Sequence, residues 1–358
     1  MTNSPFHVPL IIDVKPAITE RNQITRLHPA KDDKCIHSND SQSTSDPNPP
    51  ANRTIYNSIN MVKLEQVAQN KAFGGSITKY KFVSEALGGL ETNFNLFVPE
   101  GASSSAKVPV VTYLAGLTCN EDTAPWKAGL LLPASQHSLA LLFPDTSPRG
   151  ANIPTEDDSW DFGTGAGFYL NATAQDWSKN YNTERLITSE IQRVLKENSD
   201  VGGVLDLERQ SVMGHSMGGH GAITLYLKGV LGEREGVVYR AASGFAPILN
   251  PTKCPWGDKA FKGYLKGELE EGKAHDATEL IAKAKGKNVQ ILADYGTADN
   301  FYKSGQLLPE NFVAVAKEAG FGDDTVSVRE REGYDHSYYF VSTFVPEHVT
   351  WHALLLKK

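Results

Sequence analysis

Cysteine is scarce in this 358-residue chain: there are three, Cys35, Cys119 and Cys254, and no two of them form a Cys-x-x-Cys pair. Such spacing suggests neither a disulfide framework nor a zinc site, and it favours a reducing compartment. No apolar run approaches the roughly 20 residues that span a bilayer, which excludes a transmembrane helix and argues against a membrane role. Positive charge is in short supply as well, with 35 Lys and Arg against 42 Asp and Glu, a net charge of −7. Nucleic acid needs a concentrated basic face, so it is excluded as the main partner. The chain has no internal repeat, which excludes a solenoid or propeller. What remains, 40% apolar and 22% charged, is the composition of a globular chain able to bury a full core.

Residues 1–60 lack sustained periodicity, and 38–60 are rich in Ser, Asn, Asp and Pro, a composition that predicts disorder. Residues 8–12 are too short for a signal-peptide core, and Asp13, Glu20, Asp32 and Asp33 argue against an organellar transit peptide. The expectation is a disordered extension over 1–60, a tail or an upstream-extended reading frame with Met61 as a second start. It precedes a single catalytic domain over 61–358.

From there strands and helices alternate. Residues 75–83 and 92–98 alternate polar and apolar side chains around a Gly88-Gly89 turn, predicting an antiparallel opening hairpin. The continuous apolar run 108–114 suits a strand buried on both faces, so the sheet becomes parallel there. Helix 127–137, strand 139–143, helix 182–197 and strand 209–213 continue the βα pattern. Strands over 240–245, 289–294 and 325–331 follow, with helices over 274–285, 305–319 and 346–355. This order predicts an α/β-hydrolase fold, a mostly parallel central sheet with helices on both faces. The long Gly-rich and aromatic stretch 147–177 is expected as an ordered loop over the sheet's active edge.

The strand near 209–213 runs into Gly214-His215-Ser216-Met217-Gly218, the Gly-x-Ser-x-Gly spacing of a nucleophile elbow. A serine on so tight a turn needs neighbours without side chains, and its hydroxyl then stands at a helix N-terminus. Taken alone, the five-residue pattern is as compatible with an ordinary glycine turn. A serine hydroxyl needs a base, and the base an orienting carboxylate, in the chain order Ser, acid, His. His275 comes before the strand that should deliver the acid, and His348 and His352 share one helical face that reads as surface polarity. His336 follows the last strand and is the expected base. Among Asp294, Asp299 and Asp335, the first is placed in or at the end of its strand and the third is strained by adjacency to His336, which leaves Asp299. A helix N-cap is the structural alternative for such an aspartate. The oxyanion donors are expected at the backbone N–H groups of Met217 and of Leu117, in the loop after strand 108–114. Cys119 would lie close to the nucleophile as a neighbour rather than a reactant. Trp160 and Trp256 are either walls of a substrate pocket or core residues. Lys253, Lys259 and Lys262 cluster as candidate cationic contacts or as a solvated face.

Longer stretches narrow this reading. They include Leu114-Ala115-Gly116-Leu117-Thr118-Cys119, Pro144-Asp145-Thr146-Ser147-Pro148-Arg149-Gly150, the run 158–169, and Gly214-His215-Ser216-Met217-Gly218-Gly219-His220-Gly221. The runs 250–257 and 305–309 and the stretch Gly333-Tyr334-Asp335-His336-Ser337-Tyr338-Tyr339 complete the set. Over about 62–356 the chain resembles the S-formylglutathione hydrolase (esterase D) family. The resemblance puts the family's triad on Ser216, Asp299 and His336 and its loop cysteine on Cys119, and implies sensitivity to thiol reagents. It implies a cytosolic serine hydrolase, commonly a homodimer, that cleaves S-formylglutathione in formaldehyde removal and needs no metal or organic cofactor. Because formyl is the smallest acyl group, a narrow pocket closed by Trp160 or Trp256 is expected. Where the family often has two successive aspartates, this chain has Ala298-Asp299, and residues 1–60 have no counterpart. A general carboxylesterase and a non-catalytic binding module on the same fold are the competing readings.

Overall fold

The computed structural model describes residues 62–358, so the expectations for residues 1–60 lie outside the described residues. Nine strands form one sheet: β1 (Glu65–Ala72), β2 (Gly75–Ser84), β3 (Leu90–Pro99), β4 (Val108–Leu114), β5 (Ala140–Pro144), β6 (Leu205–His215), β7 (Ala242–Phe245), β8 (Ile291–Gly296) and β9 (Val326–Arg331). Their order is β1-β2-β3-β5-β4-β6-β7-β8-β9. The first three strands and the β3–β5 junction are antiparallel, and every pairing beyond it is parallel. This is the α/β-hydrolase fold.

Every residue of β4 is buried, as a continuous apolar strand requires when both faces are covered. Its alternation sorts the packing: Val111 and Tyr113 join one apolar cluster while Val108 and Val110 join another. The second cluster holds Ile191, Val194 and Leu195 of a helix, and the first holds the elbow helix Met217–Leu231. The helices used below are α1 (Met217–Leu231), α2 (Pro255–Tyr264) and α3 (Tyr338–Leu356).

Several elements differ from the sequence reading, among them α2, which it left unassigned. The edge strand β1 is almost wholly exposed, and its sequence Glu-Gln-Val-Ala-Gln-Asn-Lys-Ala carries no alternating signal because neither face is buried. The expected helix 127–137 is two short ones, Thr123–Lys127 and Leu131–Gln136, because Gly129 takes φ 70° and closes the first as a left-handed cap. The last helix starts at Tyr338, capped by Ser337, whose hydroxyl accepts from the Tyr339 N–H at 3.2 Å, so Pro346 lies inside it rather than opening it. Among the described residues, no helix is long and apolar enough to cross a membrane.

Candidate active site

Strand β6 delivers Ser216 onto a turn with φ 57° and ψ −120°, a left-handed conformation that a side-chain-bearing residue adopts only under constraint. The flanking glycines explain how the turn closes. A Cβ on Gly214 would stand 2.1 Å from the carbonyl oxygen of Gly218, and one on Gly218 would stand 1.9 Å from that of Leu114. The Ser216 N–H donates to Phe245 O at the end of β7 (2.9 Å), and Ser216 O accepts the His220 N–H of α1 at 3.0 Å. Ser216 retains 4% of its accessible surface. The hydroxyl that is both sealed and unpaired in this stretch is that of Ser211, further back in β6.

The loops after β8 and β9 are stitched together. The Ala298 N–H donates to Tyr334 O at 2.9 Å and the Gly333 N–H to Thr297 Oγ1 at 2.8 Å. This brings Asp299 to His336: Nδ1 stands 2.6 Å from Asp299 Oδ2. A carboxylate only accepts, so the proton sits on Nδ1 and Nε2 is left as a base. The other carboxylate oxygen of Asp299 accepts the Phe301 N–H at 2.7 Å and the Tyr302 N–H at 3.4 Å. The N-cap alternative and the histidine partner therefore hold together, one oxygen for each. Asp335 instead folds onto its own turn, accepting from the Ser337 N–H and hydroxyl. His336 reaches the elbow through the residue preceding the serine: the rings of His215 and His336 lie 4.7 Å apart.

The loop after β4 is held against the serine. A Cβ on Gly116 would come 3.2 Å from Ser216 Cβ. Tyr169 OH donates to Ala115 O at 2.7 Å, and the Thr118 N–H to Gly165 O at 2.9 Å, so the long loop over 147–177 braces this turn. Cys119 O accepts from Thr146 Oγ1 (2.5 Å) and Arg149 Nη2 (3.0 Å). Among the described residues, the N–H groups of Leu117 and Met217 donate to no backbone carbonyl. The Cys119 side chain is half-buried, with Sγ 3.8 Å from Tyr338 OH.

An aromatic line runs from the surface to the histidine. Trp160, 55% exposed, stands edge-on to the buried Trp256 at 6.0 Å; Trp256 meets Phe301 at 4.6 Å, and Phe301 meets His336 at 4.7 Å. Two of the three clustered lysines are already occupied. Lys259 pairs with Asp161, and Lys262 with Asp258 at 2.8 Å, whereas Lys253 forms no ion pair among the described residues. Lys259 and Lys262 thus read as a solvated, self-neutralised face rather than free cationic contacts.

His348 and His352, expected as surface polarity, are fully buried. Ser243 Oγ lies 3.0 Å from His348 Nδ1 and 2.8 Å from His352 Nε2, and His348 Nε2 lies 3.3 Å from Asp294 Oδ2. Arg329 and Arg331 also donate to Asp294 through Nε and Nη2, at 2.6 and 2.8 Å and at 3.1 and 3.0 Å. Burial alone would push Asp294 up, but the bonds and charges of His348 and Arg329 outweigh it and bring its pKa down to about 2. Burial lowers the proton affinity of His348, partly offset by Asp294, and holds that of His352 well below the usual range. The i, i+4 spacing of the two histidines was visible in the sequence; that β7 covers this helical face was not.

The model of the family described as "Putative esterase" matches residues 84–354. The chain is similar to the S-formylglutathione hydrolase of Rattus norvegicus, 45% identical over 295 residues that cover 82% of this chain and 99% of the relative. That of Arabidopsis thaliana is 43% identical over 294 residues, covering 82% and 98%. Among solved structures, an S-formylglutathione hydrolase from Agrobacterium tumefaciens is similar at 37% identity, covering 81% of this chain and 99% of its own, with a TM-score of 0.72. With a strained serine at a strand-to-helix turn, a carboxylate-bound histidine packed on the residue preceding it, and this likeness over most of the described residues, the chain belongs to the S-formylglutathione hydrolase family of esterases.

Proposed function

We propose that this chain hydrolyses S-formylglutathione to glutathione and formate, with Ser216 as nucleophile, His336 as general base and acid, and Asp299 as the group that fixes the imidazole. The observation that carries the reading is the 2.6 Å contact from Asp299 to His336 Nδ1, which leaves Nε2 free beside the turn that bears Ser216. Ser216 Oγ attacks the formyl carbonyl carbon as its proton passes to His336 Nε2. The tetrahedral oxyanion is met by the N–H groups of Leu117 and Met217, the second strengthened by the N-terminal dipole of α1. The C–S bond then breaks, and His336 returns the proton to the leaving sulfur, so glutathione departs as a thiol. Water, deprotonated by His336, attacks the formyl ester and releases formate and the serine hydroxyl.

Trp256 and Trp160 line the approach and keep the acyl pocket narrow, with Cys119 on the side of the oxyanion loop. The protein works without a cofactor in the cytoplasm as a single catalytic domain, and it can pair as a homodimer. The test is a comparison of catalytic efficiency on S-formylglutathione with that on small acetyl esters, beside Ser216→Ala. Preference for the thioester, abolished by the substitution, is expected. Equal or better ester turnover would make the chain a general carboxylesterase, and undiminished activity in Ser216→Ala would overturn the triad.

A further inference from the structure

His215, at the end of β6, is enclosed by the parts of the site. Its ring stands 4.7 Å from that of His336, tilted by 43°, and 5.3 Å from that of Tyr338. Its Nδ1 lies 3.5 Å from where a Cβ on Gly116 would be. Both ring nitrogens are sealed from solvent and form no well-aligned hydrogen bond, the one polar approach being from the His336 backbone. The groups that face it are His336 from the loop after β9, Tyr338 from the start of α3 and Gly116 from the loop after β4, with Cys119 beyond Tyr338. None is a carboxylate or a permanent cation, and burial first, then the nearby His336, keeps the ring neutral.

Buried nitrogens without a well-formed partner cost stability, so hydrogen bonding is not the main thing this ring gives the fold. Contact is. The Asp299 bond holds His336 at one atom and leaves the ring free to tilt about that bond. Phe301, edge-on at 4.7 Å, and His215 remove that freedom. We infer that His215 is a positioning residue for His336: packed as a neutral flat ring, it holds the plane of the general base so that Nε2 stays directed at Ser216. This rests on the triad reading above. A charged ring here would also repel the imidazolium that forms when His336 takes the serine proton.

The test compares full-length wild type, His215→Phe, His215→Ala and Ser216→Ala for kcat and KM on S-formylglutathione. The low-field proton resonance of the His336–Asp299 hydrogen bond is followed by NMR in each. His215→Phe keeps the flat neutral ring and should hold kcat within about threefold, with the resonance retained. His215→Ala should lose kcat by about tenfold or more at nearly unchanged KM, with the resonance broadened or absent. If His215→Ala does not fold, His215→Leu, which fills the space without a flat ring, carries the same expectation. Wild-type kcat and an intact resonance in the ringless variant would overturn the proposal. So would a Phe variant as impaired as the Ala variant, since the nitrogens and not the packing would then matter. Activity that persists in Ser216→Ala would instead sink the triad reading, whatever the His215 variants do.

Discussion

The molecule pairs an aspartate with a histidine in the neighbourhood of a serine twice over, and the two sets have opposite fates. In one, Asp299 holds His336 at Nδ1 in loops beyond the strand ends, and the His336 ring packs on His215, the residue before Ser216 on its strained turn. In the other, Asp294 faces His348 at Nε2, and His348 Nδ1 faces Ser243, all inside the fold with no solvent exposure. The protons of the second set order themselves. The carboxylate places one on His348 Nε2, so Nδ1 accepts from Ser243, whose oxygen in turn accepts from His352 Nε2. Ser243 thus offers its proton to an imidazole. It lies fully buried within a regular strand, whereas Ser216 stands at the N-terminus of α1. Residue type and a histidine partner do not by themselves make a nucleophile; a strained turn at a helix N-terminus favours one.

Swapping the serines should break this comparison most sharply. Ser216→Ala is expected to lower kcat by at least about 10⁴-fold, while Ser243→Ala keeps kcat within about threefold and shows its effect in the melting temperature. The aspartates should divide in the same way. Asp299→Asn disturbs the tautomer of His336 and is expected to cost about 10⁴-fold in kcat with little change in stability. Asp294→Asn leaves Arg329 and Arg331 without their carboxylate and is expected to cost about 2 kcal/mol in urea unfolding, less than for a sealed pair because both arginines are partly exposed.

A pH series sharpens the contrast further. His348 and His352 hold a proton less readily in the folded protein than in the unfolded chain, so below about pH 6.5 the unfolded chain binds more protons than the folded one. Stability should therefore fall as the pH drops from 7.5 to 5.5, by up to about 1.4 kcal/mol per pH unit for each such histidine. Asp294 acts in a lower window: its contribution is full above its ordinary value near 3.8 and is lost as the pH falls toward about 2. Urea midpoints at each pH check both. The smallest effect is expected at the surface, where Lys259→Ala should change stability by less than about 1 kcal/mol and KM by less than about threefold.

The pairing of Asp299 with His336 was legible in the sequence because it obeys chain order. A glycine-flanked serine follows a strand, and an aspartate and a histidine each follow a later one, so a parallel sheet carries all three to one edge. Strand β4 was legible to the residue, since a run of seven residues with only Thr112 polar suits a strand covered on both faces. The interior set was not legible. His348 and His352 mark one face of α3, but only the pairing of β7 with β8 shows that Ser243 and Asp294 meet that face. Local signals also misled where tertiary contacts overrode them: Pro346 reads as a helix start, yet α3 is already two turns long there. Trp160 and Trp256 could not be separated by composition, and the structure divides them, one exposed and one buried but in edge contact.

The most direct measurement is exposure of the intact, folded protein to a fluorophosphonate, followed by mapping of the modified peptide by mass spectrometry. A single adduct on Ser216, with Ser243 untouched and hydrolysis lost in step with labelling, is the predicted result. An active protein that remains unlabelled at Ser216, or one that carries the adduct at Ser243, would contradict the account.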